Sequence, residues 1–196
     1  MFSVGEREVI ERFNELEFSS FKLKDLFNKQ TMKGYPKKKE NLQPEETGYY
    51  VYGQNIRRQY EYKILMDEVY LHKVDSSHPI LAYTSSVGEI GIITESFYRS
   101  GDNGAFQGLL PKWNNERRDL QFVLVILKKQ FESFGYATSM SNIINLEFSL
   151  PVQSSGEPDW SLMKIFISAI EKVVIRDVVR YADKKINATK EVINKS

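Results

Sequence analysis

Hydrophobic positions recur with two different periods along the chain, and the change of period separates a β-rich stretch from a long helix. Near the start, apolar side chains at helical spacing predict a short amphipathic helix over residues 4–16. Its apolar positions are Val4, Val9, Ile10, Phe13 and Leu16.

The middle of the chain consists of short apolar runs broken by glycine, asparagine and serine, a pattern typical of β-strands. Strands are predicted within "FKLKDLF" (21–27), "GYYVYGQNI" (48–56), "KILMDEVYLHKV" (63–74), "PILAYTSS" (79–86), "EIGIITESFYRS" (89–100) and "IINLEFSLPV" (143–152). Residues 28–48 carry two prolines and two glycines among charged side chains, which predicts a loop. A helix is predicted over residues 118–135, with Gly135 as its C-cap.

The last segment, residues 158–196, contains no glycine and no proline after Pro158. With Asp159 as N-cap, it predicts about 35 residues of helix, roughly 50 Å long. One apolar stripe at spacings of three, four and seven runs along it and marks a predicted dimer interface: Met163, Ile167, Ile170, Val174, Val178, Tyr181, Ala188 and Val192. The short N-terminal helix cannot cover all of this stripe, so the pattern predicts a second copy or a partner's helix. The alternative is that the helix folds back on its own domain.

Composition is consistent with an α+β protein that has one globular domain and an appendage. Of 196 residues, 41% are hydrophobic and 13% aromatic, so there is material for a core. We predict a β-rich domain over residues 1–157 followed by a long helix over 158–196. No apolar run approaches the ~20 residues that span a bilayer, the start has no signal-peptide centre, and cysteine is absent. These features predict a soluble, cytoplasmic protein without membrane contact.

Candidate catalytic and metal-binding residues are few. The two histidines, His72 and His78, lie in a strand-like alternation and before a proline, and without cysteine they make a zinc site improbable. "GDNGAFQG" (101–108) is rich in glycine but lacks the Lys-Ser/Thr pair of a phosphate loop. The sequence therefore predicts neither an enzyme, nor a bound metal, nor a cofactor of its own.

Four polar stretches interrupt the β-rich part of the chain. Each by itself is typical of a turn, but four in one domain favour a recognition surface. Arginine, asparagine, glutamine, serine and threonine are the side chains that contact base edges and phosphates. The candidate DNA contacts are Gln54, Asn55, Arg57, Arg58, Gln59, Ser85, Ser86, Arg99, Asn103, Gln107, Tyr136, Thr138, Ser139, Ser141 and Asn142.

The order of these features resembles the specificity (S) subunits of type I restriction-modification systems and the related type IIB specificity subunits. The matching phrases are "FKLKDLF", "GYYVYGQNI", "YTSSVGEIGII", "LQFVLVILKKQF" and "SMSNIINLEFSLPV", followed by the long helix. The resemblance implies an α+β target-recognition domain that docks in the major groove of double-stranded DNA. It also implies that the helix is a spacer and a platform for DNA-methyltransferase (modification) subunits, which would bring S-adenosylmethionine, with restriction (translocase) subunits as further partners.

This chain departs from the usual family pattern of two recognition domains and two spacer helices, since it has one of each. We therefore predict a homodimer whose long helices pair antiparallel, and a bipartite, palindromic DNA target. Pairing with a different half-subunit is the alternative. Arg57, Arg58 and Gln59 are the leading candidates for base or phosphate contact. The net charge of +1 predicts weak DNA binding by the chain alone. An oligomerising, protein-binding adaptor without DNA specificity is the competing class of function.

Overall fold

The computed structural model describes residues 2–36, 42–84, 88–101, 106–134 and 140–193, and over these residues the chain has the α+β fold that the sequence predicts. The helices are α1 (Val4–Glu11), α2 (Leu23–Leu26), α3 (Arg117–Phe134) and α4 (Trp160–Ile193). The strands are β1 (Phe18–Lys22), β2 (Phe27–Thr31), β3 (Tyr50–Tyr52), β4 (Leu71–His72), β5 (Ile80–Thr84), β6 (Ile90–Ile93), β7 (Phe97–Arg99), β8 (Phe106–Pro111) and β9 (Glu147–Pro151). Short 3₁₀ turns cover Phe13–Glu15, Glu68–Tyr70 and Met140–Asn145.

The chain forms two compact units. One unit combines the N-terminal residues up to Glu17 with the chain from Pro151 onward, and so contains α1 and α4. The other unit is Phe18–Leu150 and contains α3 and almost all of the β-structure. By its contacts α1 groups with α4, whereas the sequence-based division at residue 157 places it with the β-rich part. That residue 157 separates a recognition domain from a spacer helix stays a prediction.

A four-stranded antiparallel sheet, in the order β2-β8-β5-β6, is the largest element of the β-rich unit. Helix α3 packs on β5 and β6, and the ring of Tyr83 meets Phe131 edge-on with centroids 5.8 Å apart. Leu120, Val123 and Leu127 on α3 are fully buried. The apolar face of this helix therefore closes one side of the sheet.

A three-stranded sheet, in the order β3-β7-β4, separates two clusters of core side chains. Strands β3 and β7 run parallel, and successive side chains point to opposite faces. Tyr52 and Phe97 therefore join one cluster, with ring centroids 5.2 Å apart, while Val51 and Tyr98 join the other. Because both faces of β3 are buried, packing holds this strand in place and so fixes the first residue of the turn that follows it.

Strand β8 shows where the sequence pattern is insufficient. The sequence predicts no strand within the glycine-rich residues 101–108, yet β8 begins at Phe106 and pairs with β2 on one side and β5 on the other. The predicted loop over 28–48 is likewise wrong at its start, because β2 extends to Thr31. Both strands are stabilised by hydrogen bonds to distant segments, which no local pattern reveals. Conversely, the predicted strand over 63–74 contains only β4 and a 3₁₀ turn.

The other unit packs α1 against the first turns of α4. Asp159 caps α4 as predicted, since its Oδ1 accepts a hydrogen bond of 3.0 Å from the amide of Leu162. The rings of Phe13 and Phe166 stack with centroids 4.6 Å apart. No described helix combines the length and the apolar composition that a bilayer-spanning segment requires.

A buried carboxylate also joins these two helices. Glu6 accepts hydrogen bonds from Ser168 Oγ at 2.9 Å and Lys172 Nζ at 2.7 Å, and it completes a capping box with Ser3. The Lys172 ammonium, followed by the Ser3 amide, lowers the pKa of Glu6 to about 2. The carboxylate is therefore ionised at neutral pH and pairs the two helices through charge as well as apolar contact.

Candidate nucleic-acid interface

A tight turn after β3 brings five of the candidate DNA contacts together. In this β3 turn, residues 53–58, the amide of Gly53 donates to the Arg57 carbonyl at 3.0 Å, and Tyr52 pairs with Arg58 in an antiparallel bridge. The Asn55 side chain accepts from the Arg57 amide at 3.2 Å, as asparagine commonly does in turns. Asn55, Arg57, Arg58 and, directly after the turn, Gln59 are exposed.

The buried side chain of Ile56 anchors this turn to the core. Its φ of +54° lies in the left-handed region, which a β-branched residue rarely adopts and which costs of order 1–3 kcal/mol. Its side chain is nevertheless 9% exposed and packs in the same core cluster as Tyr52 and Phe97. A Cβ added at Gly91 would lie 2.9 Å from Ile56 Cγ2, so glycine leaves the space that this side chain fills. Burial of Ile56 holds the turn in a conformation that its backbone does not favour.

The Arg58 side chain contacts Glu95 and Tyr50. Its Nη2 and Nε donate to Glu95 Oε1 at 2.7 and 3.0 Å, and its guanidinium carbon lies 3.6 Å from the ring centroid of Tyr50. Tyr52 donates its hydroxyl to the same Glu95 oxygen at 3.0 Å. The hydrogen bond to Glu95 raises the pKa of Arg58, and burial, followed by that carboxylate, raises the pKa of Tyr52 to about 12. Arg58 therefore stays cationic and Tyr52 stays a donor.

Arg57 differs from Arg58 in its surroundings. Within the described part of the chain, its side chain makes no hydrogen bond and no ion pair. The side chain of Gln59 is equally without a described partner, although its amide is fixed to the Val51 carbonyl at 2.8 Å. Lys63 adds another positive charge nearby, with Nζ 5.5 Å from the Tyr50 ring. The turn thus presents a cation and amide groups to solvent on a fixed backbone.

Of the remaining candidates, Gln54 lies within the β3 turn and the others lie outside it. Gln54 and Arg99 are half-buried and have partners within the fold; the Arg99 guanidinium lies 6.0 Å from the ring of Phe106. Gln107 is buried in β8 and accepts a hydrogen bond from Thr31 Oγ1 at 3.0 Å. Asn142 is exposed in a 3₁₀ turn. Outside the described residues lie Ser85, Ser86, Asn103, Tyr136, Thr138 and Ser139, and outside the described side chains lies Ser141.

Glu95 and Tyr50 belong to this site although no sequence pattern singles them out. Glu95 lies in the connection between β6 and β7 and is 37 positions from Arg58 in sequence. In the sequence pattern, Tyr50 is simply one apolar position of a predicted strand. Tyr50 belongs to β3 itself, and the parallel pairing of β3 with β7 brings Glu95 to the β3 turn.

The predicted stripe on α4 is covered at its start and exposed further on. Met163 and Ile167 are buried, whereas Ile170, Val174, Val178 and Tyr181 are 42–66% exposed. The side chains of Ala188 and Val192 are outside the described set. A second set of apolar side chains, Ile175, Val179 and Ile186, is also more than half exposed. At 100° per residue, this second strip lies roughly 120° around the helix from the first.

The described residues hold no group of three histidine, aspartate or glutamate side chains placed to bind a metal ion. The described side chains of the β3 turn offer hydrogen bonding and charge pairing.

Two comparisons with solved structures show the same fold. The HsdS subunit from Thermoanaerobacter tengcongensis is 11% identical, with a TM-score of 0.52 over 87% of this chain and 47% of that one. A chain from a structure described as the basis of complex assembly and conformational transition of the type I R-M system is also 11% identical. Its TM-score is 0.59 over 93% of this chain and 49% of that one. The chain thus spans about half the length of these two proteins.

The sequence itself gives the family. A search of curated proteins finds no match. Residues 15–181 match the family described as "Type I restriction modification DNA specificity domain", a range that includes all the strands, α3 and the first two-thirds of α4. Both the β3 turn and the first exposed strip of α4 lie inside the matched range. The chain therefore belongs to the family of type I restriction-modification DNA specificity domains.

Proposed function

We propose that the chain is a sequence-specific DNA recognition subunit that directs modification and restriction subunits to a bipartite DNA target. The observation that carries this proposal is the family match over residues 15–181, which includes both the β-rich unit and much of α4. Specificity subunits of this family are non-catalytic and carry no cofactor. In the proposed complex, S-adenosylmethionine binds to the partner modification subunit, where DNA methylation takes place.

The β3 turn is the proposed centre of the DNA contact surface. Arg57 supports this role because its cation is exposed and has no partner among the described residues, so it is available for a guanine edge or a phosphate. Asn55 and Gln59 flank it with exposed amides of the kind that contact adenine. Gln107 is left out of the proposed contacts, because its amide is buried in β8 and bonded to Thr31.

The exposed strip of α4 supports the proposed homodimer. Ile170, Val174, Val178 and Tyr181 recur at three- and four-residue spacing along a helix that α1 covers only at its start. Burying an exposed valine or isoleucine completely contributes about 1.5–3 kcal/mol, so four half-exposed side chains on each copy favour pairing with a similar helix. In the proposed dimer the two helices run antiparallel, and two-fold symmetry makes the target bipartite and palindromic.

The second strip supports a further partner on the same helix. A single neighbouring helix covers one apolar strip, and Ile175, Val179 and Ile186 lie on a different side of α4. We assign this side to a modification subunit, which agrees with the near-neutral charge of the chain. A net charge of +1 provides little non-specific attraction to DNA, so tight binding depends on the assembled complex.

The proposal is tested by co-purification with the modification subunit and a gel shift of the resulting complex. We expect one DNA sequence to be retained in preference to a scrambled duplex of equal length. The target comes from mapping modified bases in the host genome with and without the gene. A complex that lacks sequence preference, together with an unchanged methylation map, would instead favour an oligomerising adaptor.

A further inference from the structure

We propose that Arg58 and Glu95 form a clamp that fixes the β3 turn, and that Arg57, presented by this clamp, is the side chain that contacts the DNA target. Arg58 is then a positioning residue and Arg57 a specificity-determining one. This inference rests on the proposed function and divides the roles of two adjacent arginines that the sequence does not distinguish.

The first argument concerns the charge of Arg58. One oxygen of Glu95 accepts hydrogen bonds from both Nη2 and Nε of Arg58, at 2.7 and 3.0 Å. The Glu95 charge offsets that of the guanidinium, so Arg58 attracts a phosphate less strongly than an unpaired arginine does. One face of the guanidinium is also occupied, because the Tyr50 ring centroid lies 3.6 Å from the guanidinium carbon.

The second argument concerns what the clamp connects. Arg58 closes the β3 turn, while Glu95 lies between β6 and β7 and also accepts the hydroxyl of Tyr52 at 3.0 Å. The carboxylate therefore joins both ends of the turn, Tyr52 and Arg58, to the neighbouring connection. Together with the buried Ile56, it determines where the intervening Arg57 lies.

The third argument concerns Arg57 itself. It is exposed and lies between Ile56, anchored in the core, and Arg58, held by Glu95. A long side chain on a fixed backbone loses less conformational freedom on binding than one on a mobile loop. The structure thus provides a rigid base for one free cation.

The test uses the complex with the modification subunit and a duplex that carries the mapped target, with a scrambled duplex as control. Arg57→Ala is expected to lower affinity for the target about 5- to 150-fold, the range for loss of a bidentate base contact. Arg58→Ala and Glu95→Ala are expected to lower it as well, because each releases the turn. In an Arg57→Ala background, adding Glu95→Ala is expected to cause a smaller loss than it does in the wild type, since the clamp acts mainly through Arg57.

Three results would overturn the division of roles. If Arg58 contacts DNA directly, Glu95→Ala frees its guanidinium, and affinity is kept or rises while Arg58→Ala lowers it. If the losses from Arg57→Ala and Glu95→Ala multiply, Glu95 does not act through Arg57. If Arg57→Ala binds as the wild type does, Arg57 makes no contact. Glu95→Gln, which keeps the shape and an acceptor oxygen but loses the charge, replaces Glu95→Ala if the latter does not fold, and is expected to change affinity in the same direction by a smaller factor.

Failure of the proposed function is recognised separately. If the wild-type complex binds the mapped and scrambled duplexes equally, the chain does not read DNA, and the assignment to Arg57 falls with it. The clamp can still be measured without DNA. A double-mutant cycle in urea unfolding should then show coupling between Arg58→Ala and Glu95→Ala.

Discussion

Gly48 shows how a single residue can depend on contacts that are distant in sequence. A Cβ at this position would clash with the backbone carbonyl of Ile64, to which the next residue, Tyr49, is hydrogen-bonded. Since the obstructing atoms are backbone, they cannot move aside as a side chain would. The local sequence "TGYYV" does not predict this contact with Ile64.

Gly48→Ala is expected to lower the free energy of unfolding by about 1–3 kcal/mol or more, as over-packing does. Urea unfolding followed by circular dichroism measures the change. Gly5→Ala is the matched control, because Gly5 lies in α1 with open space around the added methyl group. There the same substitution should stabilise by roughly 0.5–1 kcal/mol. Equal stability of the Gly48→Ala variant and the wild type would contradict the packing described here.

The ionisation of Glu6 predicts that the stability of the fold depends on pH. Its pKa is lowered in the folded chain from the ordinary value of 4.5 to about 2, mainly by Lys172. The carboxylate therefore stabilises the fold fully above pH 4.5, and this contribution disappears as the pH falls towards 2. Glu6→Gln is expected to unfold at a lower temperature than the wild type at pH 7, with a difference that shrinks between pH 4.5 and 2. A difference that is the same at pH 7 and pH 2 would exclude the charged pair as its origin.

At the scale of elements, the two longest helices are predictable and the strands only in part. The amphipathic periods of α3 and α4 and the Asp159 cap are local signals, and local signals suffice for helices because their hydrogen bonds join residues four apart. Strand β8 has no such signal, since β2 and β5 provide its partners. The candidate site follows the same rule. Arg57 is visible in the sequence, but Glu95 becomes part of the site only through tertiary pairing.

The exposed strip of α4 carries the prediction at this scale. Val178→Asp places a carboxylate in the middle of the proposed helix pair, where burying an unpaired charge is costly, and so should convert a dimer into a monomer. Light scattering coupled to gel filtration measures the change in mass. Asn187→Asp is the control, because it adds the same charge to α4 at an exposed position outside both apolar strips. Loss of the dimer in both variants, or in neither, would contradict pairing through this strip.

For the whole molecule, the proposed two-fold assembly predicts the form of the DNA target. The purified chain should have twice the mass of one 22.8 kDa polypeptide, and the methylated sequence should be two inverted halves separated by a fixed gap. Mass measurement and methylation mapping test the two parts independently. A dimer that modifies two unrelated half-sites would indicate pairing with a different half-subunit in the cell.

The net charge of the chain predicts how its DNA affinity depends on the partner and on salt. Because the net charge is +1, the chain alone should bind DNA weakly, and addition of the modification subunit should raise the affinity and steepen its dependence on salt. A titration of DNA binding at several salt concentrations, with and without the partner, measures both effects. Tight, salt-sensitive binding by the chain alone would show that its own surface supplies the phosphate contacts.

By itself, the sequence determines the α+β class, the long helix with its apolar stripe, and the order of segments that places the chain in its family. Helical periodicity and composition are local properties, so they can be read without coordinates. Only the tertiary structure decides that β8 lies between β2 and β5, and that Ile56 is buried at a positive φ. It also decides that Arg58 pairs with Glu95 while Arg57 remains exposed. These features depend on contacts between segments far apart in sequence, where the identity of either residue alone carries no information about its partner.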